Sequence, residues 1–259
     1  MQVLNRPWGA MHWCVDGPET GIPVVFANSL GTDLRLWAPV LARLPGIRAI
    51  RFDKRGHGLS DLSAPHLIQD LADDVAALIA HLDCGPVIFV GLSVGGMIGQ
   101  ALAASHPALV RALVLSNTAA RMGNAEGWAA RIAAIENAGM ASITDTVMER
   151  WFAPPFRAHP DLPIWRNMFE RTHPQGYIGT CRVLAAADLA ASTAALDLPV
   201  MVIVGADDGS SPPALVEATA RTIPGATFHV IPDAGHLPCV ETPEAWAALV
   251  APFIEENRP

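Results

Sequence analysis

An apolar run in Val87-Ile-Phe-Val-Gly-Leu-Ser-Val-Gly-Gly96 leads directly into Gly91-Leu92-Ser93-Val94-Gly95. A serine hydroxyl attacks a carbonyl only when a base can take its proton, so a chain that uses one must hold Oγ out on a tight turn. A Gly-x-Ser-x-Gly segment between a strand and a helix does this, with glycines where any Cβ would collide with the turn. An ordinary glycine-rich turn is the alternative. It is disfavoured by the flanks, β-branched and aromatic residues before the motif and Met97-Ile98-Gly99-Gln100-Ala101-Leu102 after it. Ser93 is therefore the candidate nucleophile.

Nine histidines compete to be its base. His236 stands out in Pro232-Asp-Ala-Gly-His-Leu-Pro238, on a glycine-relieved loop after the last expected strand. His57, in Asp53-Lys-Arg-Gly-His-Gly-Leu-Ser60, is the rival, but its glycine neighbours point to a structural turn. To orient the imidazole a carboxylate is needed, and Gly205-Ala206-Asp207-Asp208 offers two on the loop leaving another strand. Aspartate is also a favoured loop and helix-cap residue, so the residues alone leave both in play. The chain order Ser, Asp, His is that of α/β-hydrolases. An oxyanion needs two preorganised N–H donors: Val94, next to the serine, and Leu30 in Asn28-Ser29-Leu30-Gly31-Thr32, where Gly31 permits close approach.

Such a set must be carried by strands ending on one side of a sheet. Short apolar runs at Val24–Ala27, Arg48–Phe52, Val87–Val90, Ala112–Leu115, Val200–Val204 and Thr227–Ile231 predict buried strands of a mainly parallel sheet. Helical patterns at Leu67–Leu82, Gly96–Ser105, Pro213–Thr222 and Pro243–Glu256 alternate with them, giving a doubly wound α/β layout. The alternation lapses between Ala119 and about Ala187. There, helical stretches at Ala125–Ala138 and Ile143–Trp151 are broken by Pro154, Pro155, Pro160, Pro163 and Pro174. The expected organisation is a core of residues 1–118 and 187–259 with a helical cap, 119–186, over the strand C-termini, where open α/β sheets bind ligands.

The 259 residues are 51% hydrophobic, enough for a sizeable core. Net charge is −8 and no Lys/Arg cluster occurs, so nucleic acid is excluded as a partner class. No apolar run reaches the roughly 18 residues of a membrane span, and the start lacks a signal-peptide core. Cys14, Cys84, Cys181 and Cys239 are scattered without metal-ligand spacing, which predicts reduced thiols, no metal site and a cytoplasmic protein without membrane contact.

The segments Phe26-Ala-Asn-Ser-Leu-Gly-Thr-Asp33, Asp53-Lys-Arg-Gly-His-Gly-Leu-Ser60, Gly91-Leu-Ser-Val-Gly-Gly96, Glu149-Arg-Trp-Phe152, Gly205-Ala-Asp-Asp208 and Asp233-Ala-Gly-His236 together resemble 3-oxoadipate enol-lactonases of the α/β-hydrolase superfamily. Asn-Ser-Leu-Gly-Thr-Asp stands where many relatives carry His-Gly, and Lys54 where relatives more often carry a small or apolar residue. The resemblance implies the α/β-hydrolase fold and selects Asp208, since Gly-x-x-Asp with proline four residues later is the family's spacing. It also implies opening of a five-membered enol-lactone bearing an acetate arm, in aromatic-compound breakdown, by an acyl-enzyme without metal or organic cofactor. An acetate-bearing substrate calls for a local cation in an acidic protein. Arg131 and Arg150 in the cap are the candidates, with Trp151 as an apolar wall. A general carboxylesterase or carbon–carbon hydrolase would keep the same triad and change only the cap. A non-catalytic receptor would have no need of an intact Ser, Asp and His, and dehalogenase or epoxide hydrolase chemistry would place an aspartate at position 93.

Overall fold

A computed structural model describes residues 2–258. Eight strands, β1 (Gln2–Arg6), β2 (Gly9–Asp16), β3 (Ile22–Ala27), β4 (Ile47–Phe52), β5 (Val87–Leu92), β6 (Val110–Ser116), β7 (Val200–Gly205) and β8 (Thr227–Ile231), form one sheet in the order β1-β2-β4-β3-β5-β6-β7-β8. Pairing is parallel from β4 through β8, and β2 joins β4 antiparallel, as β1 joins β2. This is the α/β-hydrolase fold, with helices packed on both faces.

The central strands are near-continuous apolar runs because both faces are covered. Every residue of β5, Val-Ile-Phe-Val-Gly-Leu, and of β7, Val-Met-Val-Ile-Val-Gly, is buried. The helix Ile68–Leu82 buries Ile68, Leu71, Ala72, Val75, Leu78 and Ile79, the i, i+3, i+4, i+7 spacing of an amphipathic helix. β8 departs from the expectation of a buried strand. It is the sheet's last strand, with Thr227 and Val230 exposed, because an edge strand has a neighbour on one side only. The hairpin β1–β2 is also absent from the pattern read above.

Parallel β3, β5, β7 and β8 all end on one side of the sheet, which brings together the loops carrying Leu30, Ser93, Asp208 and His236. After β6 the chain leaves the sheet and runs through the helices Ala125–Ala138, Thr144–Trp151, Leu162–Glu170 and Pro174–Ala186 before returning at β7. Its outgoing and returning limbs meet where Leu189 N donates to Ala120 O (2.9 Å). No described helix is long and apolar enough to cross a membrane.

Candidate active site

Ser93 sits between β5 and the helix Val94–Ser105 with φ 59° and ψ −120°, a conformation that L-residues adopt only when their surroundings enforce it. The surroundings are tight. A Cβ on Gly91 would lie 2.3 Å from Gly95 O, and one on Gly95 would lie 2.1 Å from Ala27 O, so the flanking glycines are steric necessities of the turn. Ser93 N donates to Ser116 O (2.9 Å), pinning the elbow to β6. Ser93 Oγ makes no hydrogen bond to another described residue, and Ser93 lines a cavity of about 460 Å³.

His236 lines the same cavity and is 1% exposed. Its Nδ1 lies 2.9 and 3.0 Å from the two carboxylate oxygens of Asp208. With the proton on Nδ1, Nε2 is the free acceptor, the tautomer a general base requires. Asp208 is held on all sides: Oδ1 accepts from Ser210 N (2.7 Å) and Ser211 N (2.8 Å), and Oδ2 from Asn117 Nδ2 (2.9 Å). Asp207 is exposed and makes no side-chain hydrogen bond among the described residues. His57 lies outside the cavity, fully buried, with Nδ1 3.1 Å from Arg55 O. Burial pushes its pKa well below the usual histidine value, and the neighbouring Lys54 pushes the same way.

Leu30 also lines the cavity, and neither Leu30 N nor Val94 N donates to another described backbone or side-chain acceptor. Val94 opens the helix Val94–Ser105, whose N-terminal end contributes a positive field at the elbow. Among the described residues no group of three or more His, Cys, Asp or Glu is placed to hold a metal ion.

The opposite wall comes from the helices between β6 and β7. Arg131, Arg150 and Trp151 all line the cavity. The guanidinium of Arg131 stands 5.1 Å from the Trp128 ring centre, and its Nη1 donates to Tyr177 Oη (3.2 Å). Burial pushes the Tyr177 phenol pKa up, with Arg131 pulling it back down. Arg150 is exposed, and its side chain has no hydrogen-bond or ion-pair partner among the described residues. Trp151 is buried edge-on against Phe169 at 5.5 Å.

Four participants carry no obvious mark in the sequence. Asn117, at φ 52°, bridges Asp208 to Gly235 O (3.1 Å); its one sequence signal is its place at the exit of a strand. Lys54 is buried beneath the Ser29–Leu30 loop, and Tyr177 joins the far wall. Glu241 accepts from Gly235 N (2.9 Å), Leu237 N (3.4 Å) and, from the opposite wall, Ala153 N (2.7 Å). Burial pushes its carboxyl up to about 7, against the pull of those three backbone N–H groups. The walls are further joined where His236 N donates to Trp151 O (2.7 Å) and Gly209 N to Arg150 O (3.2 Å).

The family model for the alpha/beta hydrolase fold matches residues 22–243. The chain is 31% identical to 3-oxoadipate enol-lactonase 1 of Acinetobacter baylyi, over 98% of this chain and 97% of that protein. The crystal structure of the enol-lactonase from Burkholderia xenovorans LB400 superposes with a TM-score of 0.94 at 35% identity, covering 98% of this chain and 100% of the other. A thermophilic esterase from Thermogutta terrifontis, solved with malate bound, gives a TM-score of 0.90 at 30% identity over 97% and 95% of the two chains.

Proposed function

The chain belongs to the alpha/beta hydrolase family, and on that footing we propose that this hydrolase opens 3-oxoadipate enol-lactone to 3-oxoadipate in the cytoplasmic breakdown of aromatic compounds. The observation that carries the reading is a Ser93, His236 and Asp208 set opening onto a cavity whose far wall holds two arginines. The full-length similarity to named enol-lactonases supports the substrate.

In this reading His236 Nε2 takes the proton of Ser93 as Oγ attacks the lactone carbonyl, while Asp208 holds the ring and stabilises the imidazolium. The N–H groups of Leu30 and Val94 receive the oxyanion. Collapse expels an enolate, a better leaving group than an alkoxide, and the freed enol tautomerises to the ketone. Water activated by His236 then releases the acid from Ser93. Ser93 and His236 share no hydrogen bond here, and catalytic contacts of this kind often tighten only with substrate in place. The helices of residues 119–186 act as a cap on a core of 1–118 and 187–259. Arg131 or Arg150 pairs with the acetate arm against Trp151. No metal, organic cofactor, nucleic acid or membrane takes part.

Incubation with the enol-lactone beside p-nitrophenyl acetate and a neutral lactone is the test. The reading requires kcat/KM for the enol-lactone to be at least about a hundredfold higher, as a charge-assisted contact of roughly 1.5–3 kcal/mol together with fixed ring placement would give. Equal turnover of all three would mark a general esterase.

A further inference from the structure

Of the 17 basic residues in the chain, 16 are arginine and one is lysine. That one, Lys54, is 3% exposed, and its ammonium lies beneath the loop that follows β3. Lys54 Nζ donates to Ser29 O at 2.6 Å and reaches Thr32 O at 3.4 Å. The Ser29 carbonyl oxygen also accepts from Thr32 Oγ1 (3.0 Å) and Thr32 N (3.4 Å), so three donors hold it turned into the protein.

The C=O of Ser29 and the N–H of Leu30 belong to one peptide unit, and in a trans peptide they point in opposite directions. A carbonyl locked inward therefore aims the Leu30 N–H outward, toward the cavity that Leu30, Ser29 and Ser93 line. A cation on the carbonyl oxygen also polarises the unit, making its N–H a stronger donor. A compact ammonium suits a site with carbonyls on separate residues, whereas a planar guanidinium suits paired acceptors in one plane.

We propose that Lys54 is a positioning residue for the reaction: by binding the Ser29 carbonyl it aims and polarises the Leu30 N–H that receives the oxyanion. This rests on the reading of Leu30 given above. Burial pushes the Lys54 pKa down to about 7, and Asp53 and then Asp33 pull it back up. The charged and titratable groups around it are those two carboxylates and His57, with Asp33 bound to Arg35 (2.5 Å) and Asp53 bound to His12 (2.7 Å). As pH rises through the lysine's pKa the ammonium becomes a neutral amine, a weaker donor, and kcat declines with it.

Lys54→Met keeps the chain length and deletes the charge. Its kcat on p-nitrophenyl acetate should fall about ten- to a hundredfold, somewhat less than loss of an oxyanion donor itself, with KM nearly unchanged. Affinity for phenylboronic acid, which forms a tetrahedral adduct on the serine, should weaken in the same proportion. A purely structural lysine would instead lower the thermal midpoint and leave both kcat and boronate affinity of the folded variant unchanged. Because the chain has one lysine, side-chain isotope labelling gives a single Nζ resonance in the unmodified protein, and its titration should coincide with the alkaline decline of kcat. That measurement stands even if the variant does not fold. Lys54→Met with kcat within twofold of the parent, or a lysine titration unconnected to the kcat profile, overturns the proposal. Comparison with Ser93→Ala separates the two failures: if the serine variant is inactive while Lys54→Met is not, the lysine inference falls and the triad stands, whereas an active serine variant overturns the functional reading itself.

Discussion

Asp208 and Arg150 are separated by one backbone hydrogen bond, Gly209 N to Arg150 O (3.2 Å), yet they are built on opposite plans. Asp208 is buried and accepts from two backbone N–H groups, an asparagine amide and an imidazole. Arg150 is exposed, with no described side-chain partner. The same contrast separates the two walls of the cavity. The loops after β5, β7 and β8 fix their side chains through backbone contacts that leave one geometry, and burial makes each lost partner costly. The far wall offers two cations on helices, Arg131 held by Tyr177 and Trp128 and Arg150 exposed with no described side-chain partner. Reaction chemistry tolerates little misplacement, while recognition of a charged arm is served by reach. Removing groups on the first wall should therefore destroy turnover, and removing them on the second should change which substrate is preferred.

The strongest test of that division is Ser93→Ala, which should cut kcat on the order of a million-fold while leaving the fold intact. His236→Ala should match it without additivity, because the two act as a unit. His57→Ala should lower the thermal midpoint and leave turnover standing, since its ring lies outside the cavity. Steady-state kinetics and thermal melts on the three variants are the measurement, and a reversed ranking of the two histidines would move the base to the turn after β4.

Asp208→Asn comes next in size. The amide favours the wrong imidazole tautomer, and a loss of about ten-thousand-fold in kcat is the scale for this change in a serine triad. Asp207→Asn, one residue away and exposed, should leave kcat close to that of the unmodified protein. Equal losses in the pair would show that the charge of the loop matters and the hydrogen-bond geometry does not, which would break the contrast between the walls.

These two plans also explain what the sequence makes legible. Ser93 and His236 announce themselves because each follows an apolar run on a turn with constrained local chemistry, and the fold follows from those same runs; one run leads to Asp207 and Asp208 alike, and only the family resemblance selects Asp208. The hairpin β1–β2 does not announce itself, because its strands mix glycine, polar and apolar residues and owe their shape to pairing with each other and with β4. β8 reads as buried since an apolar run looks the same at a sheet's edge as at its centre. Asn117, Lys54 and Glu241 act through partners 91, 25 and 88 residues distant, so no local pattern marks them. Arg131 and Arg150 are visible as cations of the stretch between β6 and β7, but how each faces the cavity depends on helix placement. In the structure Arg131 already serves Trp128 and Tyr177, which leaves Arg150 the freer cation.

The far wall is probed by Arg150→Met and Arg131→Met, which keep aliphatic bulk and delete charge. The responsible variant should lose about ten- to a hundredfold in kcat/KM for the anionic lactone, the worth of one charge-assisted contact, and hydrolyse p-nitrophenyl acetate almost as before. Arg150→Met is expected to show the larger change, because Arg131 is partly engaged by its cation–π and tyrosine contacts. Loss of neutral-ester turnover in either variant would mean that the cap shapes the chemistry as well as the choice of substrate.

Glu241 lies at the seam between the walls, and among the substitutions expected to lower turnover its own should have the smallest effect. Its carboxylate ties Gly235 and Leu237, on both sides of His236, to Ala153 of the far wall. Glu241→Gln keeps an acceptor oxygen, so kcat should fall only severalfold, and the informative readout is stability against pH. Burial lifts the folded carboxyl from 4.5 to about 7, so within that window the folded protein holds the proton more tightly than the unfolded chain does. The resulting stability is fully present below 4.5 and is lost as pH rises through about 7. Urea midpoints at pH 5 and pH 8 should therefore drop more for the unmodified protein than for Glu241→Gln, which has no proton to lose. If the two proteins show parallel pH profiles, Glu241 does not carry that titration. If the variant loses turnover as completely as His236→Ala, the seam belongs to the catalytic wall, and the two sides of the cavity are less independent than their hydrogen bonding suggests.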